Sequence, residues 1–194
     1  MKYTISNKIA RLAGTALAAL VLMGSALSAD AGAYMKFDGV DGECQDEHHK
    51  DWITIESLSH AIVRGGGLTG QSRRRGDVVL GDVVCVKELD KASPKIAESV
   101  CTGRVFPKVE IEFTRSTTSP DGTDGPVTYL KYELTNVMVT SYSFHGNAAG
   151  DPLPTEEITL NFEEIKVTYT EQDKSTGQPK GNVEYSWKVE EGTK

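Results

Sequence analysis

From residue 34 to residue 189 the chain keeps returning to a two-residue alternation of apolar and polar side chains, a period that suits strands and not helices. In "FPKVEIEFTR", Val109, Ile111 and Phe113 are expected to face inward and Glu110, Glu112 and Thr114 outward. "YMKFDGV" alternates and then turns at Gly39 and Gly42, and "DWITIESLSHAIV" alternates over its first half. "DVVLGDVVCVKEL" is β-branched and continuous, as a strand covered on both faces would be. "VTYLKYELTNVMVTSYSF" is long enough for two strands or for one bent strand with its break near Asn136. In "EEITLNFEEIKVTYTEQ" the apolar set Ile158, Leu160, Phe162 changes phase across Glu163 and Glu164 to Ile165, Val167, Tyr169, which predicts a β-bulge. "GNVEYSWKVEE" puts Val183, Tyr185, Trp187 and Val189 on one face. Such segments, parted by turn-rich stretches, predict an all-β domain over residues 34–194, a closed β-barrel of about eight strands.

One short flanking α-helix interrupts the pattern. In "DKASPKIAESVCTGR", Ser93 can cap, Pro94 suits the first helical position and Gly103 sits where a chain leaves a helix in the left-handed region. Ile96, Ala97, Val100 and Cys101 form the stripe expected to lie against the barrel. The connections are long, above all "RGGGLTGQSRRRGD" with its three glycines and three arginines.

The first 33 residues are a different material. Lys2, Lys8 and Arg11 precede an apolar run from Leu12 to Leu27 and then small residues, the three regions of a secretory signal peptide. Two small-x-small motifs follow, Ala29-Asp30-Ala31 and Ala31-Gly32-Ala33, so the mature chain is expected to start at Gly32 or Tyr34. The run is short for a bilayer span, and nothing later offers one, so no stable membrane insertion of the mature chain is expected. Residues 1–33 carry three basic groups and Asp30, and their removal moves the formal charge from −7 to −9. A surface this acidic argues against nucleic acid, whose phosphates select basic faces. The expected location is periplasmic or extracellular. There, one bridge is open to Cys44, Cys85 and Cys101, with Cys85–Cys101 the better pair because both border the helical segment. The favoured alternative is a pair of buried thiols acting as small hydrophobes.

The stretch "DGECQDEHHKDWI" looks most like chemistry, with acidic side chains around His48 and His49. Adjacent histidines on a strand point to opposite faces, His60 and His145 are isolated, and the carboxylates miss the spacing of a calcium loop. No metal ligand set is assigned. No serine sits in a nucleophile elbow, Cys44 has no histidine partner beyond its own loop, and "GGGLTG" lacks the lysine of a phosphate loop. No catalytic residue, enzyme activity or cofactor is therefore expected.

The ordered set of phrases resembles a known family. "YMKFDGVDGECQDEHHKDWITI", "GDVVCVKELDKASPKIAESVCTG", "YLKYELTNVMVTSYSFHG", "LPTEEITLNFEEIKVTYTEQD" and "VEYSWKVEE" are similar, in that order, to segments of the Hcp proteins that build the inner tube of type VI secretion systems. The resemblance implies a non-enzymatic barrel with one flanking helix, assembling with itself into hexameric rings that stack into tubes. It implies secreted effectors carried in the lumen and other type VI components as partners. By position, the loop at 64–77, with Arg64, Arg73, Arg74 and Arg75, corresponds to the loop that reaches a neighbouring ring. Changing Arg73, Arg74 and Arg75 to glutamate is expected to shorten tubes seen by electron microscopy, and unchanged tubes would refute that role. Ser59 and His60 correspond to a lumen-facing strand, where "LSHA" replaces the family's frequent Trp-Ser-Trp-Gly. The signal peptide is a departure, because tube subunits of this family assemble in the cytoplasm. A Sec-exported monomeric barrel that binds a small ligand or a host surface is the alternative reading.

Overall fold

The computed structural model describes residues 31–65, 78–117, 125–146, 153–173 and 179–189. These carry eleven strands and one helix: β1 Ala33–Phe37, β2 Ile53–Thr54, β3 Ser57–Ser59, β4 Ile62–Arg64, β5 Val78–Leu80, β6 Val83–Glu88, α1 Ser93–Thr102, β7 Val105–Thr117, β8 Gly125–His145, β9 Thr155–Asn161, β10 Glu164–Gln172 and β11 Pro179–Lys188. The all-β class holds. Eleven replaces about eight because the strands break at local bends, a property of backbone geometry rather than of hydrophobic period.

The ladder runs β2-β1-β7-β8-β9-β6-β3, all antiparallel. Its two ends, β2 and β3, are consecutive pieces of one short segment. The Ile55 N–H donates to Ala33 O at 2.9 Å on the β1 side, and the Glu56 N–H donates to Val86 O at 2.8 Å on the β6 side. That segment therefore bridges the two ends of the ladder and leads the path back to its start. Inside the circuit lie Met35, Phe37, Ile53, Val83, Cys85, Phe106, Val109, Ile111, Leu134, Ile158 and Leu160, all fully buried. These apolar side chains from opposed strands form one buried cluster.

β8 is one strand of 21 residues rather than two. It stays continuous through Asn136, which takes a left-handed φ of 51° and donates from Nδ2 to Glu163 Oε2 at 2.5 Å. Asparagine tolerates that region better than other non-glycine residues. β9 and β10 follow one another along the same edge of β8, pairing Met138 with Asn161 and Thr135 with Glu164. Between them the buried face moves from Ile158, Leu160 and Phe162 to Ile165 and Val167, the expected phase change, but it falls at a break between two strands and not at the expected β-bulge within one. β10 and β11 then form a hairpin that extends the sheet beyond the circuit.

Three inward–outward expectations are overturned. A register shift between Phe113 and Thr114 turns Thr114 inward, to 3% exposure, against its expected outward place. The "DVVLGDVVCVKEL" segment is not one strand covered on both faces: it breaks at Gly81–Asp82 into β5 and β6, and β6 alternates buried and half-buried residues. The helix keeps its expected span with Pro94 in the first turn and Gly103 as a left-handed C-cap, but Ala92 is the N-cap and Ser93 points into the protein. Its buried residues are Ser93, Ile96 and Ser99, so the stripe is rotated and Cys101 lies on the exposed side. That rotation keeps the Cys85–Cys101 pair apart. Cys85 sits in the barrel interior, Cys101 faces water, and all three cysteines are free thiols.

Candidate functional site: an assembly surface on a charge-pinned barrel

The acidic, histidine-bearing stretch is a compact loop held by its own backbone. Gly42 N–H donates to Asp51 O at 2.9 Å, Cys44 N–H to Trp52 O at 3.0 Å and Asp51 N–H to Cys44 O at 3.0 Å. Gly42 is required there, because a Cβ would stand 2.6 Å from the Trp52 carbonyl carbon. Asp46 Oδ1 accepts from the N–H groups of His48 and His49, each at 3.0 Å. The two adjacent histidines do part company, His48 to water and His49 to 3% exposure. The His49 ring lies 3.0 Å from Asp46 Oδ1 through Nδ1 and 3.1 Å from Glu112 Oε2 through Nε2. It also stacks on Tyr34 with centroids 4.1 Å apart and meets Trp52 edge-on. Burial pushes the Glu112 carboxyl up, but hydrogen bonds from His49, Lys131 and Thr128 outweigh it and hold the group below its usual value. The loop is thereby fastened to β7, and its function is structural.

A second charged cluster lies at the open end of β6. Lys87 and Glu156, direct cross-strand partners on β6 and β9, are both fully buried and 2.7 Å apart. Lys87 Nζ also reaches Asp90 Oδ1 at 2.9 Å and donates to Glu88 O at 2.7 Å and to Ser93 Oγ at 3.0 Å. Ser93 Oγ donates to Glu156 Oε2 at 2.7 Å, and the Tyr142 hydroxyl donates to Glu156 Oε1. Burial raises the Glu156 carboxyl, yet the hydrogen bonds from Lys87, Tyr142 and Ser93, with the Lys87 charge, bring it below its usual value. Burial and the bond to that carboxylate push Tyr142 up to about 12. A serine beside a lysine resembles a nucleophile and its base, but at 1% and 0% exposure neither is open to a substrate. The network ties the start of α1 to the barrel wall. Parity could have revealed it: Lys87 follows Val83 and Cys85 inward, and Glu156 precedes Ile158 and Leu160 inward, so opposite charges share the buried face.

Among the described residues, no three His, Cys, Asp or Glu side chains converge on a metal position, and no helix is long and apolar enough to cross a membrane. Burial drives the Cys85 thiol up to about 12, which leaves it un-ionised and unreactive.

Ser59 and His60 diverge. Ser59 is exposed on β3, whereas the His60 ring turns onto Tyr132 and Phe162, with centroids 6.2 and 5.9 Å away. Its Nε2 is buried without a partner, and burial lowers the pKa of the ring. The strand leaving this point becomes the two-stranded ribbon of β4 and β5, joined to the barrel by the Gly81 N–H donating to Ala61 O at 2.8 Å. Arg64 lies at the described end of the ribbon, while Arg73, Arg74 and Arg75 lie outside the described residues.

The ribbon carries the surface that period alone did not identify. Ile62, Val63 and Val79 are 53%, 58% and 61% exposed, and on β11 Val183 is 70% exposed. Between the ribbon and β11 runs a groove of about 400 Å³, lined by Ile62, Arg64, Val78, Leu80, Tyr185 and Trp187. Among the described strands β11 pairs with β10 alone, which leaves it at an edge of the described sheet. The face formed by Val183, Tyr185, Trp187 and Val189 is alternating as the sequence predicts, but mostly uncovered in one chain. Apolar side chains on a ribbon and an open sheet edge mark contact surfaces.

This architecture has close counterparts. A family model described as "Type VI secretion system effector, Hcp" matches residues 34–169. Protein hcp1 of Pseudomonas aeruginosa is 27% identical over 157 residues, covering 80% of this chain and 93% of the relative. A solved type six secretion system protein superimposes with a TM-score of 0.74 at 27% identity, covering 84% of this chain and 98% of its own. Hcp1 from Salmonella typhimurium, at 21% identity and a TM-score of 0.66, shares the fold. The family match spans the circuit of strands, the pinned acidic loop, the helix and the root of the ribbon, and the chain belongs to the Hcp family of type VI secretion proteins.

Proposed function

We propose that this chain is a non-enzymatic structural subunit that closes head-to-tail into a hexameric ring, stacks into tubes and carries effectors in the lumen. The observation that carries this reading is the pairing of family membership with an exposed apolar surface that runs from the ribbon across the groove to β11. In a ring closed by rotation this surface would meet an unlike face of the next subunit. Stacking would use the loop after Arg64, and the exposed Ser59 side of the β3 wall would meet the lumen. The leader ahead of β1 would be removed on export, leaving the mature chain in the periplasm or outside the cell. The Pseudomonas aeruginosa relative named "Major exported protein", 28% identical over 152 residues, supports export as a property of such chains.

Light scattering on the leader-less chain at micromolar concentration is expected to give the mass of six chains. Val63→Asp with Val79→Asp is expected to reduce it to one chain while leaving the circular dichroism of the barrel unchanged. A single-chain mass for the unsubstituted protein at high concentration would overturn the ring. The groove beside Arg64, Tyr185 and Trp187 would then favour the second reading, an exported monomeric barrel that holds a small ligand or a host surface.

A further inference from the structure

The leader offers two small-x-small motifs of equal quality, and the fold distinguishes them. Gly32, one residue before β1, is already bonded to β7. Its N–H donates to Thr114 Oγ1 at 3.1 Å, and its carbonyl accepts from the Thr114 N–H at 2.8 Å and from the Thr114 hydroxyl at 3.3 Å. Ala33 opens β1, pairs with Phe113, and its carbonyl accepts from the Ile55 N–H in the segment that bridges β1 and β6. Thr114 and Ile55 are 3% and 4% exposed, and each amide has its sheet partner in one of those two carbonyls. Ala31, by contrast, is exposed, and its backbone takes part in none of these bonds. The Tyr34 ring also folds over Gly32, where a Cβ would collide with it, and stacking on His49 holds that ring in place.

We infer that leader removal hydrolyses the Ala31–Gly32 peptide bond, making Gly32 the first residue of the mature protein. This rests on the export reading above. Water adds across that one amide, giving a carboxylate on Ala31 and an ammonium on Gly32. The new ammonium still donates to Thr114 Oγ1, so cleavage there costs the sheet no bond. Cleavage after Ala33 would remove the Gly32 and Ala33 carbonyls and with them both sheet hydrogen bonds.

The test is to express the full 194-residue chain in a Sec-competent bacterium and read the exported protein by intact mass and N-terminal sequencing. An N-terminus at Gly32 is the expected result. Any other processed N-terminus, Tyr34 included, overturns this inference and leaves export standing. Unprocessed chain confined to the cytoplasm overturns export as well. Separately, a chain starting at Tyr34 should melt about 4 °C below one starting at Gly32, the size expected from the loss of two sheet hydrogen bonds. Equal melting temperatures would remove the structural basis of the assignment.

Discussion

Glu156→Ala is expected to lower the unfolding free energy by about 3–5 kcal/mol, because it leaves the Lys87 ammonium deep in the protein without its main partner. Asp90 remains at 2.9 Å and softens the loss without removing it, since the ammonium would keep one carboxylate where it now has two. Replacing both partners, Lys87→Met with Glu156→Leu, should cost less than the single change even though more polar contacts vanish, because the buried charge goes with them. Acid has the same target. The folded-state pKa of Glu156 lies below its ordinary value, so its contribution is fully present above about pH 4.5 and is lost as pH falls through the folded value. Urea denaturation of the two variants and the parent protein, at pH 7 and pH 4, would measure all of this. A single-variant loss under about 1 kcal/mol would show the network to be dispensable.

His49→Ala is expected to cost roughly 3 kcal/mol, from two hydrogen bonds to carboxylates and an aromatic stack. The effect should be local before it is global. Asp46 and Glu112 would lose the ring between them, Tyr34 would lose its stacking partner, and the 41–52 loop would detach from β7. Hydrogen exchange at the Cys44 and Asp51 amides should therefore rise more than at Val109 or Ile111. Burial raises both carboxyls, and hydrogen bonds to them more than compensate: from the His49 ring and the His48 and His49 amides at Asp46, and from His49, Lys131 and Thr128 at Glu112. Their stabilising contribution is likewise present above the ordinary carboxylate range and lost as pH falls below it. Unchanged loop exchange in the variant would contradict the fastening role.

How far the chain could be read in advance varied with the kind of evidence. The phase change at Glu163–Glu164 and the irregularity at Asn136 were legible because each disturbs a regular alternation; the first parts β9 from β10, and the second is a left-handed residue within an unbroken β8. The register shift at Thr114 was not, because a threonine suits either face and the shift arises from how β7 meets β8. The rotation of α1 was missed because Ser99 reads as polar; its hydroxyl donates to Ile96 O at 2.6 Å, which lets it face the core. The same reasoning from residue type placed Cys101 inside when it faces water.

The sequence by itself determined the β class, the helix from Ser93 with its glycine stop, and, through the order of its motifs, the family. These rest on local period, local turn chemistry and linear order, which need no knowledge of what lies across the sheet. Only the tertiary structure decided which charges are buried, why His49 and not His48 is held, and how residues 53–59 bridge β1 and β6. It also placed the apolar ribbon and the open β11 edge outside the core. The reason is physical: alternation tells a residue's face relative to its neighbours in the chain, whereas burial and partnership depend on what strand pairing brings opposite it.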